Sequence, residues 1–282
     1  MLEEVIFGNL IMPGEILRLV IAIAGMAIAS YFDVFNKRNV PDNFLYGFLL
    51  VAFMTNLIFY QEDLFLFSIA SALFFSAIAY VFYRAGQIGG ADVIVMAAIL
   101  LLLPIQPSFV DVPFNIPFFF PIWLFAGVSL ALVVLIYFGH KVISAGIRPD
   151  WKYGLMFIPY ILFAYFFLNS FLFSWMYFIF ISISLLTTIF FLMYRKHMNK
   201  MMAEEMPVTQ LEPEDVLALD LMDSDMVKEN KMKRLMTKDE IERLKKLKIG
   251  EVWVFTKLPP FIPFLLLGTI LSIFLSDLLF FM

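Results

Sequence analysis

The run Gly89-Gly90-Ala91-Asp92-Val93-Ile94-Val95-Met96-Ala97-Ala98-Ile99-Leu100-Leu101-Leu102-Leu103 decides how this chain is read, because one carboxylate opens it and eleven apolar residues follow without a charge. Two glycines precede the carboxylate, and residues without Cβ allow positive φ and a close approach of another backbone. The rest of the chain has the same character: 62% of its 282 residues are hydrophobic and 35 are Phe. A composition so far from that of soluble domains is expected of an integral membrane protein.

Spanning helices need about 20 apolar residues at a rise of roughly 1.5 Å each. Eight stretches qualify as candidates: Ile16 to Phe32, Phe44 to Tyr60, Leu64 to Tyr83, Val93 to Ile105, Phe118 to Phe138, Tyr153 to Leu168, Phe171 to Tyr194 and Pro259 to Phe281. The fourth is short, so it must be tilted in a thinned region, broken, or extended beyond Pro104. Only Asn169 and Ser170 separate the sixth from the seventh, as in a helical hairpin. The expected fold is therefore an all-α polytopic membrane protein of about eight transmembrane helices, with a small cytosolic insertion before the last. Its parts are a membrane domain over 1–194, a charged subdomain over 195–257 and a last helix over 258–282.

Basic residues accumulate on the cytoplasmic side of short membrane loops. With the amino terminus outside and eight crossings, 19 of the 20 Lys and Arg residues fall on the inner face, and only Arg18 lies near the outer end of the first helix. One span more or fewer would scatter the bases over both faces, so the charge pattern tests the helix count. In this topology the first helix runs inward to Asp33 and the fourth runs outward from Asp92. Both carboxylates then lie at the cytoplasmic boundary, clear of the bilayer centre, where an aspartate costs about 2.5 to 3.5 kcal/mol on insertion scales.

Two carboxylates at one depth suggest general acid–base work. A close pair cannot easily ionise twice and holds one proton between its members. The ionised member takes a proton from water while the protonated one donates to a scissile carbonyl oxygen, and this hydrolysis calls for no metal or cofactor. Other chemistries lack their residues. The absence of Cys excludes disulfides, thiolate metal sites and a cysteine nucleophile. Neither HExxH nor GxSxG occurs, and His140 and His197 read as interfacial anchors at helix ends.

At these residues the chain resembles the prepilin and preflagellin peptidases, membrane aspartic proteases of the GxGD type that process class III signal peptides. Ser30-Tyr31-Phe32-Asp33, with Lys37-Arg38-Asn39-Val40-Pro41-Asp42 after it, is similar to the first aspartate block of the family, and Gly86 to Asp92 is similar to its GxGD block. The stretch from Glu251-Val252-Trp253-Val254 to Pro263 resembles the entry to the last helix of the archaeal members. The resemblance implies Asp33 and Asp92 as a catalytic dyad supported by Gly89, Gly90 and Ala91. It also implies an aspartic endopeptidase that cleaves a short basic leader from pilin-like or archaellin precursors at the cytoplasmic face of the cell membrane. Ala91 stands where the family usually has Gly, so no torsion reserved for glycine is needed there.

Asp42 competes with Asp33 for the first catalytic position, although after Pro41 it is also placed to cap the second helix. Lys37 and Arg38 read as positive-inside anchors. The polar segment from Arg195 to Lys257 balances 13 acids against 13 bases, which argues against a nucleic-acid surface. Within it, Thr237-Lys238-Asp239-Glu240 is a capping-box pattern opening a helix through Lys248, with Ile241, Leu244 and Leu247 on one face. Glu204 and Glu205 are candidate contacts for a basic leader. The proline-dense segment from Pro104 to Pro121 is expected to be an outer loop.

Other classes fit less well. A coupled transporter usually needs a charge near the midplane, and the centres of all eight spans lack one. A presenilin-like protease would place its first aspartate differently and carry Pro-Ala-Leu in the last helix. A noncatalytic scaffold rests on Ala91 alone.

Overall fold

Long apolar runs dictate the elements. A lipid-facing backbone must satisfy its own hydrogen bonds, which a helix does segment by segment. The computed structural model describes residues 10–36, 39–110, 117–170, 173–247, 249–256 and 258–280. Lys37 and Arg38 lie outside the described residues. The apolar helices are α1 (Glu15–Phe35), α2 (Asp42–Ile58), α3 (Glu62–Arg84), α4 (Gly90–Leu102), α5 (Phe119–Ser144), α6 (Phe157–Leu168, entered through a 3-10 turn over Trp151–Met156), α7 (Trp175–Met202) and α10 (Ile262–Phe280). Five are long and apolar enough to cross a membrane, counting the turn with α6, and α2, α4 and α10 are shorter apolar helices. The protein is an all-α polytopic membrane protein, as expected.

Lipid tails are as apolar as the side chains, so close packing and polar contacts hold such helices together. Small residues serve this at two crossings. Gly25 of α1 makes room for the Phe48 ring of α2, and Gly268 sets the backbone of α10 directly on Ile122 and Ala126 of α5. At the centre stands α4, where Val95, Ala98, Ile99, Leu100 and Leu102 are fully buried among α1, α2 and α3. By contrast, α6 and its entry turn bury no residue and lean on α7 alone among the long helices.

The short fourth span is explained by this burial. It is neither broken nor extended past Pro104: α4 ends at Leu102, and Leu103, Ile105 and Gln106 continue as buried non-helical chain. Its last carbonyls are taken by a side chain of α1. Arg18 is fully buried; its Nη1 donates to Leu101 O and Leu102 O at 3.4 Å each and to Asn56 Oδ1 at 2.9 Å, and its Nε donates to Pro13 O at 2.9 Å. Arg18, in the first turn of α1, is thus satisfied inside the protein, where a guanidinium finds this many acceptors. The proline-dense loop is tied down as well: Ser108 donates through N at 2.8 Å and Oγ at 2.6 Å to the Glu15 carboxylate. Residues 111–116 of it lie outside the described residues.

The polar segment forms a small layer at the end of the bundle where α7 stops. Past Tyr194, the expected end of its span, α7 runs on to Met202 and leads directly into β1 (Ala203–Pro207), which pairs antiparallel with β2 (Glu251–Phe255), Ala203 opposite Phe255 and Pro207 opposite Glu251. This pair was missed in the sequence because five-residue strands carry too few residues to show a period. Between the strands lie α8 (Ser224–Glu229) and α9 (Lys238–Lys246). Thr237 caps α9 as expected, its Oγ1 accepting from Glu240 N at 3.3 Å, but the Glu240 carboxylate turns to Lys233 and Arg243 instead of completing the box. The helix stops at Lys246, so Leu247 is exposed while Ile241 and Leu244 pack with Val208, Leu217, Met236, Val252 and Val254. Lys248 lies outside the described residues.

Candidate active site

Asp33 sits in the last turns of α1 and is buried, with 7% of its surface exposed. One oxygen, Oδ2, accepts from the backbone N–H of Ile262, 3.3 Å away at the start of α10. The first N–H groups of a helix have no partner within it, and here one of them is spent on a buried carboxylate. Pro259 and Pro260, which have no N–H of their own, lead the chain into that turn. Ser30, three residues earlier on α1, has a buried hydroxyl with no partner among the described residues.

Asp92 is the third residue of α4, 8% exposed. Its Oδ2 accepts from Gly89 N at 2.8 Å, the reach-back of a residue at N3 to the amide of the N-cap. Gly89 has no side chain to return the bond, so the capping box is half made. Of the two uses that glycine allows, positive φ is not the one made of Gly89 and Gly90. Gly89 has φ −79°, Gly90 is helical, and the left-handed residue of this turn is Gly86 at +66°. What the two glycines supply is space: a Cβ on Gly89 would lie 3.3 Å from Asp92 Oδ2, and one on Gly90 would lie 3.0 and 3.2 Å from the two carboxylate oxygens of Glu214. Ala91 lies in the helix without positive φ, its methyl packed against the main core, so the torsion there suits any residue.

Asp33 and Asp92 come from helices running in opposite directions and meet at one end of the bundle, within electrostatic reach of each other. A third carboxylate joins them from the polar layer. Glu214, exposed and with φ +77°, accepts from Tyr83 Oη at 3.0 Å and also interacts electrostatically with Asp92. Nothing in the sequence pointed to Glu214, because it lies 122 positions beyond Asp92 in a segment rich in both charges. Its only local signal is the Pro213 before it, which marks a turn without naming its target.

The remaining candidates stay apart. Asp42 is the first residue of α2 and exposed, and the N-cap is Pro41, so Asp42 does not cap that helix through its side chain as expected. Nor does it hydrogen-bond to Asp33 or Asp92 among the described contacts. Glu204 and Glu205 lie in β1, opposite Val254 and Trp253. His140 and His197 lie near the ends of α5 and α7, and no group of metal-ligating side chains occurs among the described residues.

The site is therefore two buried carboxylates, each accepting from a backbone amide at the start of a helix, with glycines packed closely against Asp92 and Glu214. Residues 20–139 match the family model of the type IV leader peptidase family. The match includes Asp33, Asp42 and the Gly-Gly-Ala-Asp turn and ends within α5, leaving α6, α7, the polar layer and α10 outside it. It supports a membrane peptidase of the leader-peptidase kind. Comparison with curated proteins and with solved structures gives no match.

Proposed function

We propose that the protein is a membrane aspartic endopeptidase that removes the short basic leader of prepilin or preflagellin precursors at the cytoplasmic face, with Asp33 and Asp92 as its catalytic dyad. The observation that carries this reading is the meeting of these two buried carboxylates at the end of the bundle that also holds the polar layer. The distribution of bases supports a cytoplasmic setting for that end, because 19 of 20 fall on its side when the chain crosses eight times.

In the proposed reaction a water lies between the carboxylates. The ionised member removes one of its protons as the oxygen adds to the scissile carbonyl carbon, and the protonated member gives its proton to the carbonyl oxygen. The tetrahedral diol then collapses: the second carboxylate takes a hydroxyl proton as the carbonyl re-forms, the C–N bond breaks, and the amine leaves with a proton from the first carboxyl. The backbone amides of Gly89 and Ile262 hold one oxygen of each carboxylate and so fix the direction of the other. The hydrophobic helix of a precursor would lie in the bilayer against the bundle, and its polar leader would lie in water beside Glu214.

Purified protein in detergent, mixed with a pilin-like precursor, tests the reading through the wild type and Asp33→Ala, Asp92→Ala and Asp42→Ala. Cleavage by the wild type and by Asp42→Ala, with none by the other two, is the expected result. Persistent cleavage in both Asp33→Ala and Asp92→Ala would remove the dyad.

A further inference from the structure

A cleft of about 410 Å³ opens on the α6–α7 side of the bundle, where α7 ends. Its walls are the segment from Arg148 to Tyr153, the last turns of α7 and the 3-10 turn over Leu219–Leu221. These three pieces are fastened to one another. Asp150 N donates to Met193 O at 2.9 Å, while Arg195 Nη2 at 2.7 Å and Asn199 Nδ2 at 3.3 Å both donate to Asp220 Oδ2.

The charges in the cavity are unequal. Four bases, Arg148, Lys152, Arg195 and Lys196, face two acids, and each acid is already held by a base: Asp150 by Lys152 at 3.1 Å and Asp220 by Arg195 at 2.7 Å. Arg148 and Lys196 are left over. Neither makes an ion pair among the described residues, and both are exposed, with His197 beside them. A rigid concave wall with two unspent cations accepts a monoanion such as a phosphodiester.

What adjoins the cavity selects the source of that phosphate. The entry turn of α6 begins at its rim, with Trp151 72% exposed, and Leu155, Ile158, Ile161, Leu162 and Phe166 continue an outward apolar surface along the helix. Aromatic residues mark the level of lipid headgroups, and basic pockets between helices at that level bind anionic heads. A molecule with two apolar chains and a phosphate fits both surfaces at once. We infer that this cavity binds the headgroup of an anionic phospholipid from the leaflet on the side of the polar layer, with its chains along α6. Positive-inside bias alone accounts for bases at this boundary, but not for two left without acids in a walled cavity while their neighbours are paired.

The test reads lipid binding and is independent of the peptidase reading. The full chain in nonionic detergent is titrated with phosphatidylglycerol, phosphatidylcholine or inorganic phosphate, and adducts are followed by native mass spectrometry together with Tm. Phosphatidylglycerol is expected to bind and raise Tm, phosphatidylcholine to bind more weakly, and millimolar phosphate not to displace the lipid. The double variant Arg148→Gln/Lys196→Gln should lose about tenfold in phosphatidylglycerol affinity, the scale of two bases near an anionic surface. Lys245→Gln/Lys246→Gln on α9 should not. The charge-preserving pair Arg148→Lys/Lys196→Arg guards against misfolding and should bind like the wild type. Equal affinity for the two lipids, an unaffected neutral pair, or a charge-preserving pair no better than the neutral one would each overturn the inference. Displacement by free phosphate would make the cavity a soluble-anion site and overturn it too.

Discussion

At the far end of α4 the Arg18 guanidinium, Asn56 and Ser68 close a network in which donors meet acceptors: Asn56 Nδ2 reaches Leu101 O at 2.7 Å and Ala52 O at 3.1 Å, and Ser68 Oγ reaches Phe65 O at 2.8 Å. At the near end, Asp92 accepts one backbone bond and faces two further carboxylates. One short helix thus has a charge of the complementary sign at its carboxyl end, fully engaged, and a group of carboxylates at its amino end, where Asp92 accepts a single backbone bond among the described residues. The helix dipole favours both signs. Only the near end keeps acceptor capacity in reserve, and groups that stability does not consume are where chemistry is expected.

This contrast breaks first if the carboxylates prove structural. Asp33→Asn and Asp92→Asn keep an acceptor for the Ile262 and Gly89 amides, so thermal unfolding in detergent should move little. Cleavage should fall by about a thousandfold, as when an acid–base group is removed. A large drop in Tm for Asp92→Asn would make the two ends of α4 equivalent and remove the distinction. The converse variant is Arg18→Met, which takes the side-chain donor from Leu102 O and leaves Asn56 Oδ1 with only the Ser68 hydroxyl at 3.5 Å. It should destabilise the protein by about 3 kcal/mol, in the range seen when one partner of a buried charged network is lost. Cleavage per folded molecule should change far less. Arg18→Lys should recover only part of the loss, because an ammonium cannot reach the same spread of acceptors.

The difference between the ends also explains what was legible in the sequence. The apolar helices could be read because hydropathy reports on each segment separately, and the Gly-Gly-Ala-Asp turn because the Asp92–Gly89 bond is local. The depth of Arg18 was not legible: a base one turn inside an apolar run looks like an interfacial residue until Asn56 and Leu101, 38 and 83 positions away, are brought to it. Glu214 was hidden for the same reason, as its partners Tyr83 and Gly90 lie more than a hundred positions back. The use of each glycine was not legible because positive φ and a missing Cβ look identical in sequence. The structure assigns the first to Gly86 and the second to Gly89 and Gly90.

Glu214 sharpens the comparison on a smaller scale. If its carboxylate belongs to the group at the amino end of α4, Glu214→Gln removes like-charge repulsion with Asp92 and leaves stability within about 0.5 kcal/mol of wild type, as for ordinary surface changes. Cleavage should shift by about threefold, a modest exposed charge effect. Gly90→Ala should act in the same direction, since its Cβ would press on the Glu214 carboxylate at 3.0 Å. Combined with Glu214→Gln it should be less than additive, because both changes act on one contact. Loss of more than 1 kcal/mol in Glu214→Gln would assign this acid to holding the polar layer in place.

The smallest expected effect concerns the other kind of acid in the same layer. Glu240 is buried, which opposes its charge, yet hydrogen bonds from Lys233 and Arg243 outweigh that and hold its carboxyl below the ordinary range. A carboxyl whose folded pKa is depressed contributes stability above its unfolded pKa, about 4.3 for Glu, and loses it as pH falls through the lower folded value. At neutral pH the contribution is therefore complete, and it fades only below about pH 4.3. Hydrogen exchange of the α9 amides between pH 6 and pH 3 should show this, with protection falling in the wild type after correction for intrinsic exchange. Glu240→Gln should be less protected at pH 6 and change little across the range. A wild type whose protection is flat over that window would mean that the two bases do not hold Glu240 as the geometry has it. Glu240 would then stand with Glu214, and engaged and unengaged acids could no longer be told apart by their partners.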